Sequence, residues 1–166
     1  MANILHPILG TLDPSSPGFW DATVTFGGRD VTFDLTIDGS DLAAADVTAL
    51  PQKADDLVPL DRAARLAILE DAQSGDEDAA AALYITHHHS EFPRDDFERL
   101  FGTDKPDLAN AEPLLSRLVL VRVGLYPEDD DRRVLLDYSI DPDATNYLLC
   151  VSFDASKQPT AVDLES

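Results

Sequence analysis

Two stretches near the N-terminus alternate apolar and polar residues without a break. Trp20, Ala22, Val24 and Phe26 are separated by Asp21, Thr23 and Thr25. Val31, Phe33, Leu35 and Ile37 are separated by Thr32, Asp34 and Thr36. Period two marks a strand with one buried face, so the pattern predicts two strands. Gly27-Gly28 between them suits a two-residue hairpin turn, because glycine accepts the positive φ that such turns require. A two-residue link also fixes the register: Phe26 opposite Arg29, Val24 opposite Val31, Ala22 opposite Phe33 and Trp20 opposite Leu35. The apolar side chains then share one face, where Trp20 is expected to be largely buried. The pairs Thr25/Asp30, Thr23/Thr32 and Asp21/Asp34 form the outer face. Ile4–Leu12, interrupted by Pro7, is expected to add an edge strand, where a missing N–H is tolerated.

The period then changes. Asp38-Gly39-Ser40-Asp41 predicts a turn and N-cap for a short helix over Leu42–Leu50, stopped by Pro51. Asp61 is expected to cap a second helix from Arg62 to about Gln73, with Leu60, Ala64, Ala67, Ile68 and Leu69 as its core stripe. Ser74 and Glu77 have capping-box spacing, which opens a third helix over Asp76–His89. Ala80, Leu83, Tyr84 and His87 are its expected core contacts. A shorter helix runs from Asp95 to Phe101, closed by Gly102. Residues 103–113 are a connector.

Strand-like pattern returns at Leu118–Leu125, Val134–Ile140, Tyr147–Phe153 and Thr160–Leu164, with an acidic turn at Pro127-Glu128-Asp129-Asp130-Asp131. Strands, helices, strands is an α+β order: an antiparallel sheet from the N- and C-terminal strands with a helical insert packed on one face. The division expected is a single domain over residues 1–166, with strands at about 4–37, helices at about 41–101 and strands at about 117–164.

Composition narrows the function classes. The chain has 166 residues, 12 of them basic and 32 acidic, for a net charge of −20. That length suits one domain with a real core. The surface would repel a phosphate backbone, so no nucleic-acid partner is expected. No run of about 18 apolar residues occurs, so no membrane span is expected. The N-terminus lacks the basic and apolar regions of a signal peptide, which points to the cytoplasm. One cysteine, Cys150, excludes an internal disulfide and reads as a small buried hydrophobe. The acids are mostly Asp and the bases mostly Arg, a texture that a GC-rich or salt-adapted genome also produces.

Candidate chemistry is sparse. His87-His88-His89 invites a metal, but adjacent helical residues point about 100° apart, so the three cannot share one ion. His87 or His88 could pair with Glu91, one turn on, and this is the weaker alternative to no metal site. Histidines at a helix C-terminus are also favoured by the dipole alone. The Asp-rich turns fail the calcium-loop pattern: from Asp141, the fifth and sixth positions are Thr145 and Asn146. No nucleophile elbow and no glycine-rich phosphate loop occurs. Asp21 opposite Asp34 is unusual, because like charges facing each other destabilise a hairpin. A neighbouring Arg is the simplest remedy; a cation or a basic partner would also serve.

Several segments together are similar to a known family. Phe19-Trp20, Val24-Thr25-Phe26 with the Gly-Gly turn, and Ile37-Asp38-Gly39 resemble the start of a bacterial family known as domain of unknown function number two thousand and four. Ala64–Asp71 followed by Gly75-Asp76-Glu77-Asp78 resembles it too. So do Val123–Asp129, Asp137–Ile140 and Tyr147–Asp154. The resemblance implies a small acidic bacterial α+β protein and carries no catalytic residue.

The expected function is therefore a non-catalytic interaction module, such as an immunity-type neutraliser of a basic protein, with no cofactor. Charge would steer such an association. The candidate contact residues are Asp21, Asp30 and Asp34 on the outer sheet face and Glu128, Asp129, Asp130 and Asp131 in the turn. The alternative is a metal-binding or hydrolytic protein using His87, His88 and Glu91.

Overall fold

The hairpin forms as its alternation dictates. In the computed structural model, which describes residues 3–39 and 42–166, β3 (Gly18–Phe26) pairs antiparallel with β4 (Arg29–Ile37). Every expected pair is present, Phe26 with Arg29 through Trp20 with Leu35. Gly27 and Gly28 take φ of 59° and 76°. The preceding segment does not join this sheet. β1 (Ile4–His6) and β2 (Gly10–Leu12) close on each other as a separate small hairpin. The turn and cap expected at Asp38-Gly39-Ser40-Asp41 fall partly on Ser40 and Asp41, which lie outside the described residues.

The helices follow the sequence pattern with shifted starts. α1 is only Ala44–Thr48. α2 spans Leu57–Ala72 and begins a turn earlier than expected. Pro59 permits this, because the first helical N–H groups have no intrahelical acceptor to lose. Asp61 is therefore inside α2 rather than capping it. Its carboxylate accepts from Tyr138 at 2.8 Å and from Arg65. α3 spans Ala80–Glu91. The Ser74/Glu77 capping box does not form. Instead Asp71, still on α2, accepts from the Ala81 N–H at 2.7 Å and supplies the cap from the preceding helix. α4 (Arg94–Phe101) ends at Gly102 in the left-handed region, and α5 is the short Glu112–Leu115.

β5 (Val119–Leu125), β6 (Val134–Ser139), β7 (Leu148–Phe153) and β8 (Pro159–Glu165) complete one six-stranded sheet in the order β3-β4-β5-β6-β7-β8. The fold is α+β. One junction departs from the all-antiparallel expectation: β4 and β5 run parallel. The reason is the intervening helical layer, which returns the chain to the end of the sheet where β4 began; a tight turn could not do so.

The helices lie on one face. α2 and α3 contact β7 and β8. The β1–β2 hairpin covers the other end, with the His6 ring 5.9 Å from that of Phe33. Phe33, Leu35, Val123, Leu136, Val151 and Phe153 form the buried row beneath. Trp20 packs against the core as expected but is not fully enclosed, unlike Val31 and Leu35. It belongs to β3, and β3 is an outer edge of the sheet, so one side of its row has no neighbour.

Candidate interaction surface

On the sheet's second face, opposite the Phe33, Val123 and Leu136 row, strand parity assembles a charged cluster. Register places Asp34 beside Gly124 and Thr32 beside Arg122 on the parallel pair, and Arg122 beside Asp137 on the next. Arg122 bonds Asp34 in a fork, Nε to Oδ2 at 2.6 Å and Nη2 to Oδ1 at 2.9 Å. Its Nη1 reaches Asp137 at 3.0 Å and its Nη2 reaches the Tyr126 hydroxyl at 2.8 Å. Gly124 leaves the room: a Cβ there would stand 3.0 Å from both Arg122 Nη2 and the Tyr126 ring. The hydrogen bond to Asp34 is the main influence that pushes the Arg122 guanidinium further above its ordinary value, against the opposing effect of its partial burial.

This cluster accounts for the Asp21/Asp34 pairing. Asp34 is buried and satisfied by Arg122, while Asp21 stays exposed. The Arg remedy is the one the molecule uses. Asp34 therefore does not offer its carboxylate to solvent, unlike Asp21 and Asp30. Cys150 faces Asp137 across the ladder and is buried. Burial, then the neighbouring Asp137 carboxylate, pushes its thiol up, so it is not a reactive thiolate.

The acidic turn belongs to the same face. Glu128 accepts from the backbone N–H of Asp38 at 2.7 Å and from that of Gly39 at 3.0 Å, which pins the turn to the end of β4. Asp129 accepts from the N–H groups of Asp131 and Arg132, both at 3.0 Å, and so shapes its own turn. Arg133 bridges Asp46 at 3.1 Å and Asp130 at 2.7 Å. Thr36, Asp38, Tyr126, Glu128, Asp129 and Asp130 line an open recess of about 350 Å³. Tyr126 connects this recess to the Arg122 cluster. Asp34 and the acidic turn are thus linked through Arg122 and Tyr126, whereas Asp30 lies at the far end of β4, beside the Gly27-Gly28 turn. Among the described residues, Asp21, Asp30, Asp38, Asp129 and Asp131 form no ion pair.

The histidines disperse. His88, not His87, is the core residue, because α3 turns the Tyr84/Ile85/His88 stripe inward and leaves Leu83 exposed. His88 Nδ1 donates to the Tyr84 carbonyl at 2.6 Å, since a carbonyl only accepts, and Nε2 then accepts from Thr145 at 2.8 Å. His87 packs on Tyr147 at 4.3 Å and His89 on Phe97 at 4.9 Å. Each ring has its own partner, and Glu91 lies exposed at the helix end. Among the described residues no three His, Cys, Asp or Glu side chains gather as a metal ion would need. Burial lowers the affinity of both His88 and His6 for a proton.

Arg122 and Asp137 were missed in the sequence. Their signal was parity: each stands out of phase with Val123 and with Leu136 and Tyr138, which places it on the opposite face. Comparison of the chain with protein-family models, curated proteins and solved structures finds no match. No helix among the described residues is long and apolar enough to cross a membrane.

Proposed function

We propose that this protein is a non-catalytic interaction module of the bacterial cytoplasm that binds a basic protein partner through the acidic outer face of its sheet, in the manner of an immunity-type neutraliser. Membership of the family of domain of unknown function number two thousand and four is part of this reading and adds no residue role. One observation carries it. Asp21 and Asp30 on the β3–β4 outer face and Asp129 and Asp131 in the 127–131 turn are exposed and form no ion pair among the described residues, while Arg122 and Arg133 are already committed to Asp34, Asp137, Asp46 and Asp130. A cationic segment would supply what the face lacks.

The test uses a lysine-rich peptide as the probe, followed by amide chemical shifts at two salt concentrations. Shifts are expected to concentrate on Asp21, Asp30, Asp38 and Asp129–Asp131. They weaken as salt rises, because exposed charges are screened beyond about 8 Å at physiological ionic strength. Replacing Asp129, Asp130 and Asp131 together by Asn is expected to slow association and leave the fold intact, since the Asp130 carboxylate is 87 % exposed and Arg133 keeps its pair with Asp46, so the loss is about 1 kcal/mol or less. Shifts spread evenly over the whole surface, or an affinity indifferent to salt, would refute the reading and leave the acidity as a mark of the source organism.

A further inference from the structure

We propose that the partner is taken up as an added β-strand along β3: an extended, amphipathic basic segment pairs with the free edge and becomes the seventh strand of the sheet. This rests on the reading above and specifies how the partner is held.

The edge geometry follows from the register. In a hairpin closed by a two-residue turn, the residues flanking the turn form a hydrogen-bonded pair, and bonded and non-bonded pairs then alternate. Phe26 and Arg29 are that first pair. Phe19, Asp21, Thr23 and Thr25 consequently turn their N–H and C=O groups away from β4. Among the described residues these groups have no hydrogen-bond partner. The turn at Ala54–Asp56 approaches β3 without bonding to its backbone.

The two edges of the sheet differ in how they are guarded. β8 begins at Pro159, its pairing with β7 is interrupted by a register shift, and α2 and α3 pack against it. Those are the devices by which natural sheets blunt an edge. Among the described residues β3 has neither the proline nor the irregular pairing, and it is the short Ala54–Asp56 turn that approaches it. β3 is nine residues long and carries no Lys. Its inner row, Trp20, Ala22, Val24 and Phe26, is half-buried throughout, so the core stops short at this edge. On its outer side Phe19 is 62 % exposed. An added strand would finish the burial of the inner row and cover Phe19.

Side-chain parity then states the chemistry of the occupant. Alternate residues would meet the inner row and must be apolar. The intervening residues would meet Phe19, Asp21, Thr23 and Thr25 and include Lys or Arg opposite Asp21 and opposite Thr25, whose cross-strand neighbour is Asp30. Charge decides against a second copy of this chain, because each brings a net charge of −20 and a further Asp21 to the same edge.

The experiment uses a synthetic peptide as long as β3, nine residues, alternating valine with lysine or threonine. A second peptide has the same sequence and charge but carries N-methyl groups on alternate residues, which removes its donors toward the edge. Binding and amide hydrogen exchange are measured on the full chain. The unmethylated peptide is expected to bind at low salt and to slow exchange at Phe19, Asp21, Thr23 and Thr25. Methylation is expected to weaken it by about tenfold or more, the loss of a few backbone hydrogen bonds. Thr23→Pro, whose lost N–H points outward and so costs the fold little, is expected to lose the peptide equally. Equal binding of both peptides, with no protection at the four amides, would overturn strand addition while leaving the charge reading standing. No binding of either peptide would overturn both. Protection at the four amides in the free protein, accompanied by a dimer mass, would overturn the proposal in favour of a second copy.

Discussion

Replacing Arg122 with Met tests whether the outer-face cluster holds the sheet together. Methionine keeps an apolar stem over Gly124 and removes the charge. The side chains of Asp34 and Asp137 are 3 % and 4 % exposed, so two carboxylates would be left buried without a counter-ion. Removing one partner of a buried ion pair typically costs 3–5 kcal/mol, so about 3 kcal/mol is expected here, because Arg122 is itself 31 % exposed and water can enter its place. For a chain of this size that lowers Tm by roughly 6–12 °C. Urea unfolding at neutral pH, followed by the fluorescence of Trp20, the protein's single tryptophan, gives the number directly. The charge argument is then separated from packing. Adding Asp34→Asn and Asp137→Asn to Arg122→Met removes the unpaired charges and is expected to recover most of the loss. A single variant within about 0.5 kcal/mol of the parent, or a triple variant no more stable than the single, would refute the account of this cluster.

Other perturbations have defined outcomes. His6 is buried; its Nε2 donates to the Pro51 carbonyl at 3.1 Å, and its Nδ1 accepts from Ile8 N–H at 3.2 Å and Leu9 N–H at 3.3 Å. Burial lowers its proton affinity below the ordinary value of 6.5, so the unfolded chain binds more protons in that range and stability falls as pH drops below about 6.5. Stability measured from about pH 7.5 to 5.5 should show this slope, and it should be shallower in His6→Gln. Trp20→Ala is expected to cost about 2 kcal/mol, below the 3–5 kcal/mol of a fully buried aromatic, as measured by urea unfolding followed by circular dichroism. Purified protein should hold substoichiometric zinc by elemental analysis, and a chelator should leave its Tm unchanged; one zinc per chain lost together with stability would restore the His87/His88/Glu91 alternative.

The legible parts of the fold were those coded locally. Alternation and Gly27-Gly28 determined the β3–β4 register residue by residue, because a one-residue slip would send Phe33 and Leu35 to solvent. The start of α3 was illegible because its cap, Asp71, comes from another helix. The choice of His88 over His87 turned on a phase difference of about 100°, which only packing decides. The parallel β4–β5 junction was hidden for the same reason as the cluster. Asp34 and Arg122 are 88 residues apart, and period two reveals which face each occupies but not that they meet. Of the candidate contact residues, the exposed turn was readable as a turn. That it lies beside the outer face of β4 depends on Glu128 reaching Asp38 and Gly39, a contact no local pattern encodes.

The same junction sets an order of assembly. The β3–β4 hairpin and the β5–β8 meander each close through short turns, whereas joining them brings together residues 88 apart. Closing a loop of that size costs about 4 kcal/mol in its length-dependent part alone. Chain entropy therefore favours forming both halves before they dock, with the docking as the slow, non-local event. Contacts that exist only across the junction, the Arg122–Asp34 fork first among them, would then form after the rate-limiting barrier. Weakening them should speed unfolding and leave refolding almost unchanged. The lifetime of the native state would depend on this junction more than on any other pairing in the sheet.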